Sequence, residues 1–337
     1  MTLPSAAELR PWTPVHVRAF DAPILVEWAR LGANPVPDPF FAQTVMRAMQ
    51  RPFNLAFRRT TPIEAVERFA EGDEAVPLRG IIYHMSRSGS TLISRMLNAL
   101  PRSLVVSEPA PLSQILQLAV RGVPVDEERH VRLVRGMVKA LLRARRPEER
   151  DGFVKVATTD VLHAPLLQRA FPGVRSIFAF RHPLEVLASQ AKVYGSDVLP
   201  GQLPLDVLEV APTDAASLTI EEWIARAIAA VCRAALRLDE CTFVDYASLP
   251  DAAVSLVPEV FGLHYDDDER ARMLAAAAVD AKAPDHRFTP DAQEKRRSAS
   301  AAVRAAAELL MPLYGELRSR AASASSWAGV NATESRK

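Results

Sequence analysis

Ile81-Ile82-Tyr83-His84-Met85-Ser86-Arg87-Ser88-Gly89-Ser90-Thr91-Leu92 decides how this chain of 337 residues is read. A short apolar run stops at a loop of small hydroxylated residues with one arginine and one glycine. An amphipathic helix starts at once, with Leu92, Ile93, Met96, Leu97 and Leu100 on one face. Strand, tight loop and helix N-terminus together make a phosphate cradle, because main-chain N–H groups at a helix start face an anion and the helix dipole favours negative charge there. Gly89 lets the backbone approach, Ser88, Ser90 and Thr91 offer hydroxyls, and Arg87 can fork onto an oxyanion. A nucleotide site is expected here. It is not a Walker A loop, since the positions for its first glycine and its lysine hold His84 and Ser90.

Further blocks repeat the pattern of an apolar strand ending at a functional residue. Val174 to Phe180 reads as a buried strand broken by Arg181-His182-Pro183, and a helix is predicted from Pro183 to about Lys192. Ser103 to Ser107 is followed by Glu108-Pro109, Phe153-Val154-Lys155-Val156-Ala157 carries a lysine, and Cys241 to Val244 leads to Asp245-Tyr246 after a helix from about Ile220 to Asp239. Strands alternating with helices point to an α/β fold whose ligands lie at the strand ends.

The loop Ser86-Arg87-Ser88-Gly89-Ser90-Thr91-Leu92 resembles the 5′-phosphosulfate loop of sulfotransferases, with Ser86 in place of the usual proline. Arg181 and Ser189, eight residues apart, resemble that family's 3′-phosphate motif, with His182 where aspartate is common. The order of the blocks from Leu78 to Leu317 is similar to the bacterial sulfotransferase domain and its tyrosylprotein sulfotransferase relatives. The resemblance implies a P-loop-like three-layer fold, with a central, mostly parallel sheet flanked by helices; the residues before it read as a helical N-terminal extension.

It also implies transfer of a sulfuryl group from 3′-phosphoadenosine 5′-phosphosulfate (PAPS) to a hydroxyl or amine, with no metal. Arg87, Ser88, Gly89, Ser90, Thr91, Arg181 and Ser189 would hold the nucleotide, Tyr246 would stack on adenine, and Arg296 and Arg297 would form a late basic loop over the 3′-phosphate. Glu108 matches the catalytic base of the tyrosylprotein branch, while Arg87 and Lys155 would stabilise charge on the phosphosulfate. His163 and His182 are alternative bases, but neither follows the second strand as Glu108 does.

Composition agrees with a globular enzyme. Apolar residues make up 49% and charged residues 24%, and a net charge of +1 gives no field to recruit nucleic acid or anionic membrane. The two cysteines, Cys232 and Cys241, lack ligand-like neighbours and indicate a reducing compartment. No membrane span or leader pattern is apparent, so a cytoplasmic enzyme is expected, acting on a small-molecule or conjugate acceptor.

Three regions are expected: residues 1–75 as a mostly helical extension, 76–320 as the sulfotransferase-like domain, and 321–337 as a disordered tail. Phe40, Phe41, Phe53 and Phe57 are expected to dock the extension. Helical periodicity runs from Leu112 to Arg146, followed by a charged break at Arg145 to Asp151, and a polar break runs from Pro284 to Ser298. Two other functions fit parts of the pattern. One is a P-loop kinase using ATP and magnesium, with Asp245 on the metal; the other is a non-catalytic nucleotide-binding interaction protein.

Overall fold

The computed structural model describes residues 4–5, 7–19, 23–33, 38–72, 75–279 and 292–334. The chain divides into two units: Met1–Ile81, Ser94–Val174 and Asp266–Ala276 in the first, and Ile82–Ile93, Arg175–Tyr265 and Ala277–Lys337 in the second.

The N-terminal segment corrects the expectation of a helical extension. Strands β1 (Thr13–Arg18), β2 (Leu25–Ala29) and β3 (Arg59–Pro62) form an antiparallel sheet in that order. Val15 and Val17 of β1 turn inward while His16 and Arg18 face out, a period of two that drives a half-buried strand. The buried Trp28 donates its indole N–H to Thr61 Oγ1 at 2.9 Å, tying β2 to β3. Helices occupy only Phe41–Met49, Pro52–Ala56 and Glu64–Glu67. Of the four phenylalanines, Phe41 is buried and Phe40 half-buried, whereas Phe53 and Phe57 are exposed and lie 5.0 Å apart.

The central sheet is parallel and five-stranded, as the alternating strands and helices lead one to expect. Strands β4 (Leu78–His84), β5 (Ser103–Ser107), β6 (Asp151–Lys155), β7 (Ser176–Phe180) and β8 (Cys241–Asp245) lie in the order β5-β6-β4-β7-β8. Every residue of β5, β6 and β7 is buried, which is why these strands read as continuous runs rather than alternations. Helices follow the strands at Ser90–Asn98, Ala110–Leu116, Ala164–Ala170 and Pro183–Lys192.

In the first unit, helix Glu127–Leu141 packs Leu133, Val134 and Met137 inward, and its Gly136 lies so near the Val66 carbonyl that a Cβ would fall 2.2 Å from it. In the second, helix Ile220–Leu236 buries Ile224, Ile228 and Val231, and Phe178 meets Phe243 edge-on at 6.0 Å. Helix Ile220–Leu236 opens on a capping box in which Thr219 and Glu222 exchange hydrogen bonds.

Other boundaries differ from the sequence reading. The stretch 112–146 is two helices, Ala110–Leu116 and Glu127–Leu141, parted by a turn in which Gly122 has φ of 76°. Asp126 restarts the second by accepting the Arg129 N–H at 2.8 Å. The expected polar break falls partly outside the described residues, and its last part is the helix Ala292–Ser298. The last helix is Met311–Glu334. Among the described residues no helix is long and apolar enough to cross a membrane, and no group of three or more His, Cys, Asp or Glu residues is placed to hold a metal ion.

Candidate active site

Within the second unit, β4 ends at His84 and the chain turns through three left-handed residues, Ser86 (φ 68°), Arg87 (φ 50°) and Gly89 (φ 86°), before helix Ser90–Asn98. Two of the three carry side chains, so the loop stores strain of a kind that clusters at ligand sites. Such turns aim successive N–H groups into one concavity suited to an anion. The loop is braced from behind. Ser86 Oγ accepts from Gln190 Nε2 at 3.0 Å, and the buried Gln190 accepts the Gly195 N–H at 2.7 Å. The Arg87 guanidinium donates to the Val193 carbonyl.

Two features of the loop fit a bound phosphate group. Ser88 Oγ is buried without a hydrogen-bond partner among the described residues, and a buried hydroxyl left unpaired is costly unless a ligand completes it. At Gly89 an added Cβ would lie 2.7 Å from both Leu249 Cδ1 and Tyr246 Cδ2, so only glycine suits that backbone and that space. Ser90 and Thr91, both buried, begin the helix.

Arg181 follows β7 and is 5% exposed. Its Nε donates to Glu185 Oε2 at 2.7 Å, and its guanidinium lies 3.9 Å over the Tyr246 ring. Tyr246, expected to stack on adenine, carries the Arg181 guanidinium over its ring. Glu185, one helical turn after Arg181, is itself buried and accepts at Oε1 from Arg296 Nε (2.8 Å) and Nη2 (2.7 Å). Burial alone would raise the Glu185 carboxyl, but the hydrogen bonds and charges of Arg181 and Arg296 outweigh it and hold the group below its ordinary value.

Ser189 is half-buried one turn after Glu185, so the two share a face of helix Pro183–Lys192, and Arg181 lies just before the His182 cap. Arg296 and Arg297, expected in a loop, lie in the last turn of helix Ala292–Ser298; the run Ala-Gln-Glu-Lys-Arg-Arg is made of good helix formers. Arg297 is exposed there and its carbonyl accepts from Arg304.

Within the first unit, Glu108 and Lys155 form a pair. The lysine is fully buried at the end of β6, and its Nζ lies 2.8 Å from Glu108 Oε1 and 4.9 Å from the centre of the Phe40 ring. Glu108 follows β5 with φ of 51° and donates its own N–H to the Lys155 carbonyl at 2.6 Å. Its side chain keeps 26% of its surface exposed.

The histidines are differently employed. His182 caps helix Pro183–Lys192 by accepting the Leu184 N–H at 3.3 Å, and burial followed by Arg296 lowers its pKa. His163 is pushed down to about 4 by burial, with a smaller contribution from His130. Asp245, the residue a kinase would place on magnesium, accepts the Ala247 N–H at 3.0 Å as the cap of a 3-10 turn.

Sequence reasoning missed Glu185 and Gln190. The first had a signal, an acid four residues after an arginine at a helix start; the second, a glutamine on the buried side of its helix, had none.

The chain matches the model of the Sulfotransferase family over residues 81–267. No curated protein matches it. Among solved structures it is similar to sulfotransferase STF9 from Mycobacterium avium, at 15% identity with 74% of this chain and 79% of that chain covered and a TM-score of 0.43. It is also similar to sulfotransferase STF1 from Mycobacterium tuberculosis H37Rv (14% identity, 66% and 77% covered, TM-score 0.40). The sulfotransferase domain of the Synechococcus PCC 7002 olefin synthase is a third (15% identity, 72% and 96% covered, TM-score 0.40). Because the family match spans more than half of the chain and contains the loop, Glu108, Lys155, Arg181 and Tyr246, this protein belongs to the sulfotransferase family.

Proposed function

We propose that this sulfotransferase uses PAPS as its sulfuryl donor and acts on a hydroxyl or amine of a small-molecule or conjugate acceptor. The observation that carries this reading is the loop with left-handed Ser86, Arg87 and Gly89, inside which the buried Ser88 hydroxyl has no partner among the described residues. When bound, PAPS supplies a sulfuryl group on a good phosphate leaving group. The loop N–H groups, Ser88, Ser90 and Thr91 would hold the 5′-phosphosulfate end, and Arg87 would balance the charge that builds on the leaving oxygens. Arg181 and Ser189, together with Arg296 and Arg297 of the late helix, would bind the 3′-phosphate.

Glu108 would take the acceptor's proton. Lys155 orients the carboxylate by its 2.8 Å contact, and a positioned base of this kind is worth about 10²–10⁴-fold in rate. Tyr246 supports Arg181 in this reading rather than stacking on adenine. The kinase reading is not favoured: the loop lacks the phosphate-binding lysine, and Asp245 is committed to its cap.

Calorimetry with adenosine 3′,5′-bisphosphate (PAP), AMP and ATP with magnesium tests the donor. A preference for PAP that is lost in Arg181→Ala is the expected result. A preference for ATP with magnesium would overturn the proposal.

A further inference from the structure

We infer that Glu185 is a positioning residue that sets this enzyme's preference for a nucleotide carrying a 3′-phosphate, by holding Arg181 and Arg296 in one fixed arrangement. The inference rests on the proposed reading of Arg181 as a 3′-phosphate ligand. Two guanidinium groups from segments more than a hundred residues apart are brought to the two oxygens of a single buried carboxylate. Left to themselves, like charges in a poorly solvated site repel and the flexible arginine side chains separate. The shared carboxylate removes that repulsion and leaves a cluster of net charge +1 from two cations and one anion.

The geometry fixes each arginine differently. Arg181 is held at its Nε edge by Glu185 and on its face by the Tyr246 ring at 3.9 Å. Arg296 donates Nε and Nη2 to Glu185 Oε1, and its side chain is 52% exposed. One arginine is therefore a buried anchor, and the other is an accessible arm tethered beside it. A dianionic phosphate rewards such a preset pair, because little side-chain entropy is lost when it binds. A nucleotide without that phosphate gains nothing from the arrangement. Burial, followed by Arg296, lowers the pKa of the nearby His182 imidazole.

A carboxylate that merely glued helix Ala292–Ser298 in place would affect stability, and any nucleotide equally. The discriminating measurement is the ratio of PAP to AMP affinity, by calorimetry, in wild type, Glu185→Gln and Glu185→Asp. The amide cannot serve both donors as a carboxylate does. In Glu185→Gln the PAP affinity is expected to fall by about tenfold or more while AMP affinity stays within about twofold, and Glu185→Asp should recover part of the loss. An unchanged PAP-to-AMP ratio overturns the inference. So does tighter PAP binding, which would make Glu185 a competitor of the phosphate.

A wild-type protein that does not prefer PAP to AMP would overturn the underlying 3′-phosphate reading instead. Should Glu185→Gln fail to fold, Arg296→Gln, at a half-exposed side chain, tests the same arrangement from its other end. It must lower the ratio if the arm is preset by Glu185, and an unchanged ratio overturns the inference.

Discussion

Replacing Gly89 by alanine probes the loop more sharply than removing any of its hydroxyls. At φ of +86° an L-residue bears a left-handed cost of about 1–2 kcal/mol. The new Cβ would also lie 2.7 Å from a carbon of Leu249 and a carbon of Tyr246, about 1 Å inside the 3.5–4.0 Å at which carbons pack. Overpacking of that size costs about 1–3 kcal/mol, so Gly89→Ala should lower unfolding free energy by about 2–5 kcal/mol.

The second term has a direction, because the Tyr246 ring that must yield carries the Arg181 guanidinium on its face. The strain should therefore appear in PAP binding as well as in stability. Gly201→Ala is the control: its φ is +83° and a Cβ there meets nothing within 4 Å, so it should lose only the about 1–2 kcal/mol of backbone cost. Urea unfolding of both variants, followed by calorimetry with PAP, makes the comparison. Equal destabilisation of the two variants, with PAP affinity intact in Gly89→Ala, would refute the reasoning.

Three further outcomes are expected. Glu108→Ala should cut turnover about 10²–10⁴-fold while PAP affinity stays within about twofold, read by steady-state kinetics and calorimetry on the same preparation. Stability should fall as pH drops from about 6.5 towards 4: folded His163 stays neutral to about 4, the unfolded chain takes up the proton near 6.5, and the loss approaches roughly 3 kcal/mol, which His163→Gln should abolish in pH-dependent denaturation. Phe41→Ala should cost about 3–5 kcal/mol because its ring is buried, whereas Phe57→Ala, at 61% exposure, should change unfolding by no more than about 0.5 kcal/mol.

What the sequence made legible were features with short-range causes. The strand, loop and helix around Ser86 to Leu92 combine an apolar run, small residues and a 3.6-residue period within a few turns of chain, and the helix Pro183–Lys192 announces itself by its proline. The N-terminal sheet was legible in principle, since Val15 and Val17 alternate with His16 and Arg18. Its strands are four to six residues long and broken by proline and aromatics, so the alternation is brief. Glu185 illustrates what sequence does not carry. Its helix spacing from Arg181 is local, but its role depends on Arg296, whose distance along the chain gives no hint of contact. Tyr246 shows the converse: its position at a strand end was legible, and its contact with Arg181 was not, because an aromatic ring receives an arginine or an adenine equally well.

The double attachment of Glu108 to Lys155 has a consequence for how the pair can be watched. The acid is tied to the lysine by its side chain and by its own amide, which donates to the Lys155 carbonyl at 2.6 Å. That amide proton can exchange with solvent only when the two strand ends part. Its deuterium exchange rate is therefore a clock on the intact pair, readable without substrate, donor or a known acceptor. Compounds that slow this one amide would be candidates for the acceptor, found by their effect on the acid rather than by turnover.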